Sequence, residues 1–381
     1  MINPNKIFEI NSPDQFETVA VEIFRFQAEH CEPYKRYLSL LGTDVCKVVG
    51  INEIPFFPIQ FFKTENVICD RRGVCGTHFN SEHITKSEQN KKPDQNTISD
   101  QILAPYQSVN AQEVLPQKIF TSSATTGMTP SRHPIVDLSI YERSFSDGFR
   151  LQYGNPSEYA ILALLPSYLE RAGSSLVYMT ESLMKQSANP NNGYYLYNHT
   201  DLYDMLYRLR ADGQKTILIG VSFALLDFIS ALKLETGHRP EFPDLIVVET
   251  GGMKGRGEEL SREELHSRLK EGFGVDKIHS EYGMAELLSQ AWSKGDSLFF
   301  TPPWMKILIR DLNNPFHLLS DGERGGNDSK RGGINIIDLA NVYSCSFIET
   351  EDMGMTSSDG GFKIFGRIKN SELRGCNFLI C

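Results

Sequence analysis

Three short apolar runs, "EYAILALLPS", "GQKTILIGV" and "PDLIVVETGG", each close on Pro, Gly or Ser, and helix-like segments separate them. Strands that lack polar alternation are buried on both faces, and strands alternating with helices pair in parallel. From Glu158 onward the pattern therefore predicts a parallel α/β sheet. The most apolar window, "TILIGVSFALLDFISALK", reads as a buried strand followed by a helix. Ser222 is expected to cap that helix, and Phe223, Leu226, Ile229 and Leu232 to share one side. Gly220, Ser222 and Asp227 interrupt the window, which is also too short to span a bilayer, so no membrane span is expected. Beyond Leu298, "SLFFTPPWMKILIRDL", "GGINIIDLAN" and "GGFKIFGRI" are shorter strands with turns and predict a smaller antiparallel lobe. "SDGERGGNDSKRGG" between them reads as a turn or loop.

The first 105 or so residues look mostly helical. "DQFETVAVEIFRFQAEHCEPYKRYLSLLG" carries Phe16, Val19, Val21, Ile23, Phe24 and Phe26, with Gly42 as a stop. In "EIPFFPIQFFKT" two prolines rule out a regular helix, and four phenylalanines must pack somewhere. A core-facing irregular segment is favoured there over a wall for an apolar substrate. The polar stretch Lys86 to Asp100 reads as a surface excursion. A net charge of -10 and the lack of a long basic stripe give no footprint for nucleic acid. Seven scattered cysteines make no disulfide framework. Cys69 and Cys75 lie near His78 and His83, but the spacing fits no standard zinc site, so a metal site there is disfavoured. The opening residues hold no apolar core of signal-peptide length, which predicts a cytoplasmic protein.

"IFTSSATTGMTPSRH", Ile119 to His133, is the unusual stretch. A Ser/Thr/Gly loop entering an α/β sheet can cradle phosphate with backbone amides and hydroxyls, although such a run is as often a solvated linker. No GxxxxGK[ST] occurs, so it is not a P-loop. The run resembles the phosphate loop of adenylate-forming enzymes: Ser122, Ser123, Thr125, Thr126 and Gly127 match, and Ala124 replaces a glycine. Four further elements follow in that superfamily's order. "VETGGMKGRG" puts Gly251 and Gly252 where backbone approaches adenine. "HSEYGMAELLSQ" is similar to Tyr-Gly-x-Thr-Glu, with Ala285 in place of Thr; the resemblance implies that Tyr282 stacks on adenine and that Glu286 holds the magnesium of Mg-ATP. "IETEDMGM" and "FGRIKNSELRG" imply Asp352 on the ribose hydroxyls and Arg367 near ribose and phosphate.

"EIPFFPIQFFKT", "LLPSYLERAGSSLVYMT" and "LRGCNFLI" resemble one branch, the acyl-protein synthetases of the bacterial bioluminescence fatty acid reductase. The resemblance implies an adenylate-forming large domain over 1–366, with layered α/β sheets and a smaller β-rich lobe. A short tail, 367–381, is expected in place of the full C-terminal mobile domain. It also implies ATP and Mg2+ as cofactors and a fatty acid or other carboxylic acid as substrate. The acid is expected to become acyl-AMP and to pass to a cysteine of the protein itself. Cys376, following a cation and a flexible joint at Arg374 and Gly375, is the candidate thiol, and Cys381 a weaker one. A reductase or other acyl-donor or acceptor protein is implied as partner. Lys369, Arg374 or Arg132 are candidates for the cation the mobile domain normally brings, and His133 for a second oxyanion donor. Two alternatives stay open: a ligase or acyltransferase using a soluble thiol, and, given Ala124 and Ala285, a non-catalytic protein that binds nucleotide or acyl chain.

Overall fold

The computed structural model describes residues 3–70, 115–122, 129–166, 173–236, 241–251, 260–319 and 331–368. Ser12 caps helix α1 (Pro13–His30) by accepting the Gln15 N–H, and Pro13 occupies the first turn, where no amide partner is required. Phe16, Ala20, Ile23, Phe24 and Gln27 recur at helical spacing and are buried. Cys31 separates α1 from α2 (Glu32–Leu40). The prolines of "EIPFFPIQFFKT" then limit strand β1 to Phe57–Pro58, followed by a 3-10 turn, Ile59–Lys63. Phe56, Phe57 and Phe62 are all buried, so this segment faces the core.

Strands β2 (Lys118–Thr121) and β3 (Arg132–Ile135) form an antiparallel pair, with Thr121 opposite Arg132. Helix α3 (Leu138–Tyr153) leads into β4 (Ala160–Leu164), and α4 (Ser175–Ser187) into β5 (Gly193–Tyr195). Next come α5 (His199–Ala211), β6 (Thr216–Val221), α6 (Ser222–Thr236) and β7 (Ile246–Thr250). The sheet is completed by α7 (Arg262–Phe273), β8 (His279–Tyr282) and β9 (Ala291–Ser293). Its order is β5-β4-β6-β7-β8-β9, parallel except for the last pair. Every residue of β4 and β6 is buried, as the continuous apolar runs require. The expected face of α6 is shifted: Ala224, Leu225, Phe228 and Leu232 are buried with Phe223, while Leu226 and Ile229 are only half-buried. Ser222 opens the helix, but its hydroxyl reaches Glu249 Oε2 at 3.1 Å.

The second sheet holds β10 (Met305–Arg310), β11 (Gly332–Asp338), β12 (Phe347–Thr356) and β13 (Phe362–Arg367), all antiparallel neighbours. Strand β1 joins the edge of β12 in parallel, at Ile348 and Glu349. This contribution from the N-terminal part is not visible in the sequence pattern, since two residues beside prolines leave no period to read. Arg310 lies buried in this sheet, donating to Ile334 O, Asn335 Oδ1 and Thr350 O at 2.9, 2.8 and 2.7 Å. One hydrophobic core runs from α1 through both sheets, giving a mixed α/β fold with layered sheets. The Gln27 amide ties its first helix to its last sheet. It donates to Asn341 O, Val342 O and Ser346 Oγ, and its oxygen accepts the Ser346 N–H.

Among the described residues no helix is long and apolar enough to cross a membrane. Neither is there, among them, a group of three or more His, Cys, Asp or Glu suited to a metal ion. Cys69 is buried and directs its thiol at Val342 O and Ser344 O; Cys75, His78, His83 and the stretch Lys86 to Asp100 lie outside the described residues.

Candidate active site

The β2–β3 pair makes the neck of the Ser/Thr/Gly loop. The Ser122 N–H donates to Ser131 O at 3.1 Å, and the Ser131 N–H donates back to Ser122 Oγ at 2.9 Å. Ser123, Thr125, Thr126 and Gly127 lie outside the described residues, as do Gly252, Lys369, Arg374, Cys376 and Cys381. Ser131, 2% exposed, acts on the Glu286 carboxyl, and its neighbour His133 bonds Ala285 O, so the neck and the "YGMAE" segment meet directly. Burial pushes the Glu286 carboxyl above its ordinary range, and the Ser131 hydroxyl and the Arg367 and Lys63 charges pull the other way. A buried carboxyl of this kind is suited to a cation.

Tyr282 stands at the end of β8 and donates to Asp352 Oδ2 at 2.7 Å. Asp352 and Arg367 are directly opposite in the β12–β13 ladder, which sets the guanidinium Nε 3.8 Å from Asp352 Oδ1. Burial raises the Asp352 carboxyl against the opposing effect of Tyr282 and Arg367, while burial and the Asp352 charge push the Tyr282 phenol well up. Arg367 itself is 78% exposed and also reaches Glu351 Oε2 at 4.0 Å. Tyr282, Glu286, Asp352 and Arg367, scattered over 86 positions of sequence, are thus neighbours around the loop neck.

Gly251 follows β7 with a φ of +75°, a conformation that suits a residue without a Cβ. Beneath it is a polar layer that sequence reasoning missed. Glu249 takes a 2.6 Å bond from Arg262 and contacts His266 and Ser222; although burial alone would raise it, His266, Arg262 and Ser280 hold its carboxyl down at about 2. Glu281, accepting the Thr250 hydroxyl at 2.5 Å, is pushed up to about 7 by burial and by the charge of Glu249. The sequence signal for this layer is slight: Glu249 stands near the end of the otherwise apolar β7, and Glu281 in the short polar strand β8 carries none.

His133 requires a correction. Its Nδ1–H is given to Ala285 O and its Nε2 accepts from Ser344 Oγ, both at 2.9 Å, and the Phe62 ring meets it edge-on. Burial pushes the imidazole down to about 4, so it stays neutral. With its one N–H already given to a carbonyl, the ring has none to offer an oxyanion; it pins the "YGMAE" segment to the 341–346 turn. Arg132 is exposed at the other side of the neck.

No family model and no curated protein matches the chain. Solved structures do. A 2-hydroxyisobutyryl-CoA ligase in complex with 2-HIB-AMP and CoA aligns at 12% identity with a TM-score of 0.59, over 94% of this chain and 69% of the ligase. ATP-bound MatB from Rhodopseudomonas palustris aligns at 15% identity and 0.47, over 65% of this chain and 47% of MatB. A long-chain-fatty-acid-CoA ligase from Archaeoglobus fulgidus gives 14% and 0.46, over 66% and 51%. The chain spans about half the length of MatB and of the long-chain-fatty-acid-CoA ligase. At such identities the likeness is one of fold, a layered α/β fold shared with the 2-hydroxyisobutyryl-CoA ligase over 94% of the chain.

Proposed function

We propose that this protein activates a carboxylic acid with ATP as an acyl-AMP and passes the acyl group to a thiol, which in the acyl-protein synthetase reading is its own Cys376. The observation that carries the proposal is the meeting of Tyr282, Glu286, Asp352 and Arg367 around the loop neck, at the motif positions expected to handle a nucleotide. In this reading Asp352, oriented by Tyr282, accepts the ribose hydroxyls. Backbone at Gly251 lies against adenine, and the Ser/Thr loop holds phosphate oxygens. Glu286 is the residue that would hold Mg2+, and its buried carboxyl fits a cation; the metal would offset phosphate charge.

A carboxylate cannot be displaced by a thiol, because the leaving group would be oxide. When its oxygen attacks the α-phosphorus, that O–P bond forms, the bond to the β-phosphate oxygen breaks, and pyrophosphate leaves with the electron pair. The thiolate sulfur then bonds the acyl carbon, the C–O bond to phosphate breaks, and AMP departs. What this chain's residues contribute is position and compensation of charge.

ATP–pyrophosphate exchange across a panel of carboxylic acids tests the proposal, fatty acids being the expected substrates. Exchange with none of them, together with no binding of ATP, would reject it. A second reading has a specific support: the structure sharing the fold over most of the chain holds CoA, a soluble thiol. Gel-stable acyl label cleaved by hydroxylamine and lost in Cys376→Ser favours the protein thiol; turnover with CoA and no label favours the soluble one.

A further inference from the structure

We infer that Cys31 and Cys69 are a redox-sensitive pair, joined as a disulfide by a small-molecule disulfide oxidant and released again by thiols. The pair stands apart from the nucleotide-binding reading above.

The two residues are directly opposite each other in an isolated antiparallel bridge. One step outside them the Asp70 N–H donates to His30 O at 2.9 Å, and the His30 ring and the Asp70 carboxylate meet at the same distance. The amides of the cysteines themselves go elsewhere, Cys31 N–H to Gln27 O and Cys69 N–H to Tyr343 O. The cysteines therefore occupy a non-hydrogen-bonded position of the bridge. At such a position the opposed Cα atoms approach to about 4.5 Å and the two side chains leave on the same face. A disulfide spans Cα separations of about 4.4–6.8 Å, so the bond forms with the backbone where it stands. Cys345 is a third buried thiol on the neighbouring turn, but it is outside the bridge, and its Sγ is directed at Phe347 O at 3.5 Å.

Both thiols are shielded, at 0% and 1% exposure, and burial pushes the Cys69 thiol well up. Exchange must therefore wait for local opening, which suits a pair that answers sustained oxidation. Once opened, one thiol loses its proton and its sulfur attacks the small disulfide; that S–S bond breaks and a first small thiolate leaves. The second protein sulfur, also deprotonated, attacks the mixed disulfide, the Cys31–Cys69 bond forms and a second small thiolate leaves. Two protein thiols are oxidised, one disulfide is reduced, and the two protons end on the departing thiols. What the bond encloses is a wall of the candidate site. The chain between the cysteines carries α2, β1 on Ile348 and Glu349, Gln60 on Glu351 and the Phe62 ring on His133. Closing it into a loop restricts the unfolded chain and leaves these contacts in place.

The full chain, equilibrated without denaturant in glutathione buffers from strongly reducing to strongly oxidising, then alkylated and digested for peptide mapping, tests this. The Cys31 and Cys69 peptides should become linked to each other, and the link should be lost on return to reducing buffer. The linked form should have a urea midpoint about 0.5–1 M above that of the reduced form. Cys31→Ser and Cys69→Ser should each lose that gain, and Cys345→Ser should keep it. Absence of the link at the most oxidising ratio overturns the inference, as does a link from either residue to Cys345 in its place. A linked form whose midpoint is at or below the reduced one overturns it too, because the fold would then have to distort to make the bond. The mapping and the midpoint are both read on the parent, so they decide even where a serine variant fails to fold.

Discussion

The bond between Ser122 Oγ and the Ser131 N–H fixes what a Ser122→Ala variant should do. Removing the acceptor leaves a part-buried amide unpaired at the neck. Stability should drop by about 1 kcal/mol, read as a lower denaturant midpoint, and the apparent KM for ATP should rise through the displaced loop. An unchanged midpoint would show that the neck is closed by other contacts. Asp352→Ala tests the ribose contact of the proposed function: the KM for ATP should rise by more than that for the acid, and the opposite order would remove Asp352 from the ribose. These residues could be picked out because they sit in compact motifs. The role of His133 could not, since its partners, Ala285 and Ser344, lie 152 and 211 positions away. Adjacency to a polar loop suggested a reactive ring; burial made it a neutral pin.

Among the elements, β11 and β10 are joined by an unusually close approach. A Cβ at Gly333 would lie 2.4 Å from Arg310 Cζ, and Arg310 cannot retreat because three bonds fix its guanidinium. Gly333→Ala should therefore lower stability by about 1–3 kcal/mol in chemical denaturation, and a variant as stable as the parent would refute the packing argument. The parallel sheet was legible because strands buried on both faces leave continuous apolar runs. The antiparallel lobe was legible from shorter runs with turns. For α6 the pattern permits two overlapping faces, since Leu225, Leu226, Phe228 and Ile229 are all apolar, and only the sheet beneath decides between them. Strand β1 depends wholly on β12 to be a strand, and nothing local announces it.

On the scale of the whole molecule, the layer under Gly251 ties stability to pH in two opposite senses. The folded Glu249 carboxyl is held at about 2, below its ordinary 4.5, so its contribution is present above pH 4.5 and is lost as pH falls from 4.5 toward 2. The shift corresponds to about 3 kcal/mol. Glu281, raised to about 7, stabilises the fold below pH 4.5, and that contribution is lost as pH rises from 4.5 to 7. Denaturant midpoints followed from pH 2 to 8 should show Glu249→Gln with a flattened acid limb and Glu281→Gln gaining on the parent toward pH 8. An acid limb of parental steepness in Glu249→Gln would refute the first assignment. The Gln27 clasp has a different consequence, one of timing. Its partner Ser346 lies 319 residues downstream, and Phe24 packs its ring on Phe347. At about 5–20 residues per second a ribosome needs about 15–60 s to deliver that partner. For that interval α1 is already made while the surface it covers does not yet exist, so the apolar stripe of Phe16, Ile23 and Phe24 is what a nascent chain offers to chaperones until its last sheet emerges.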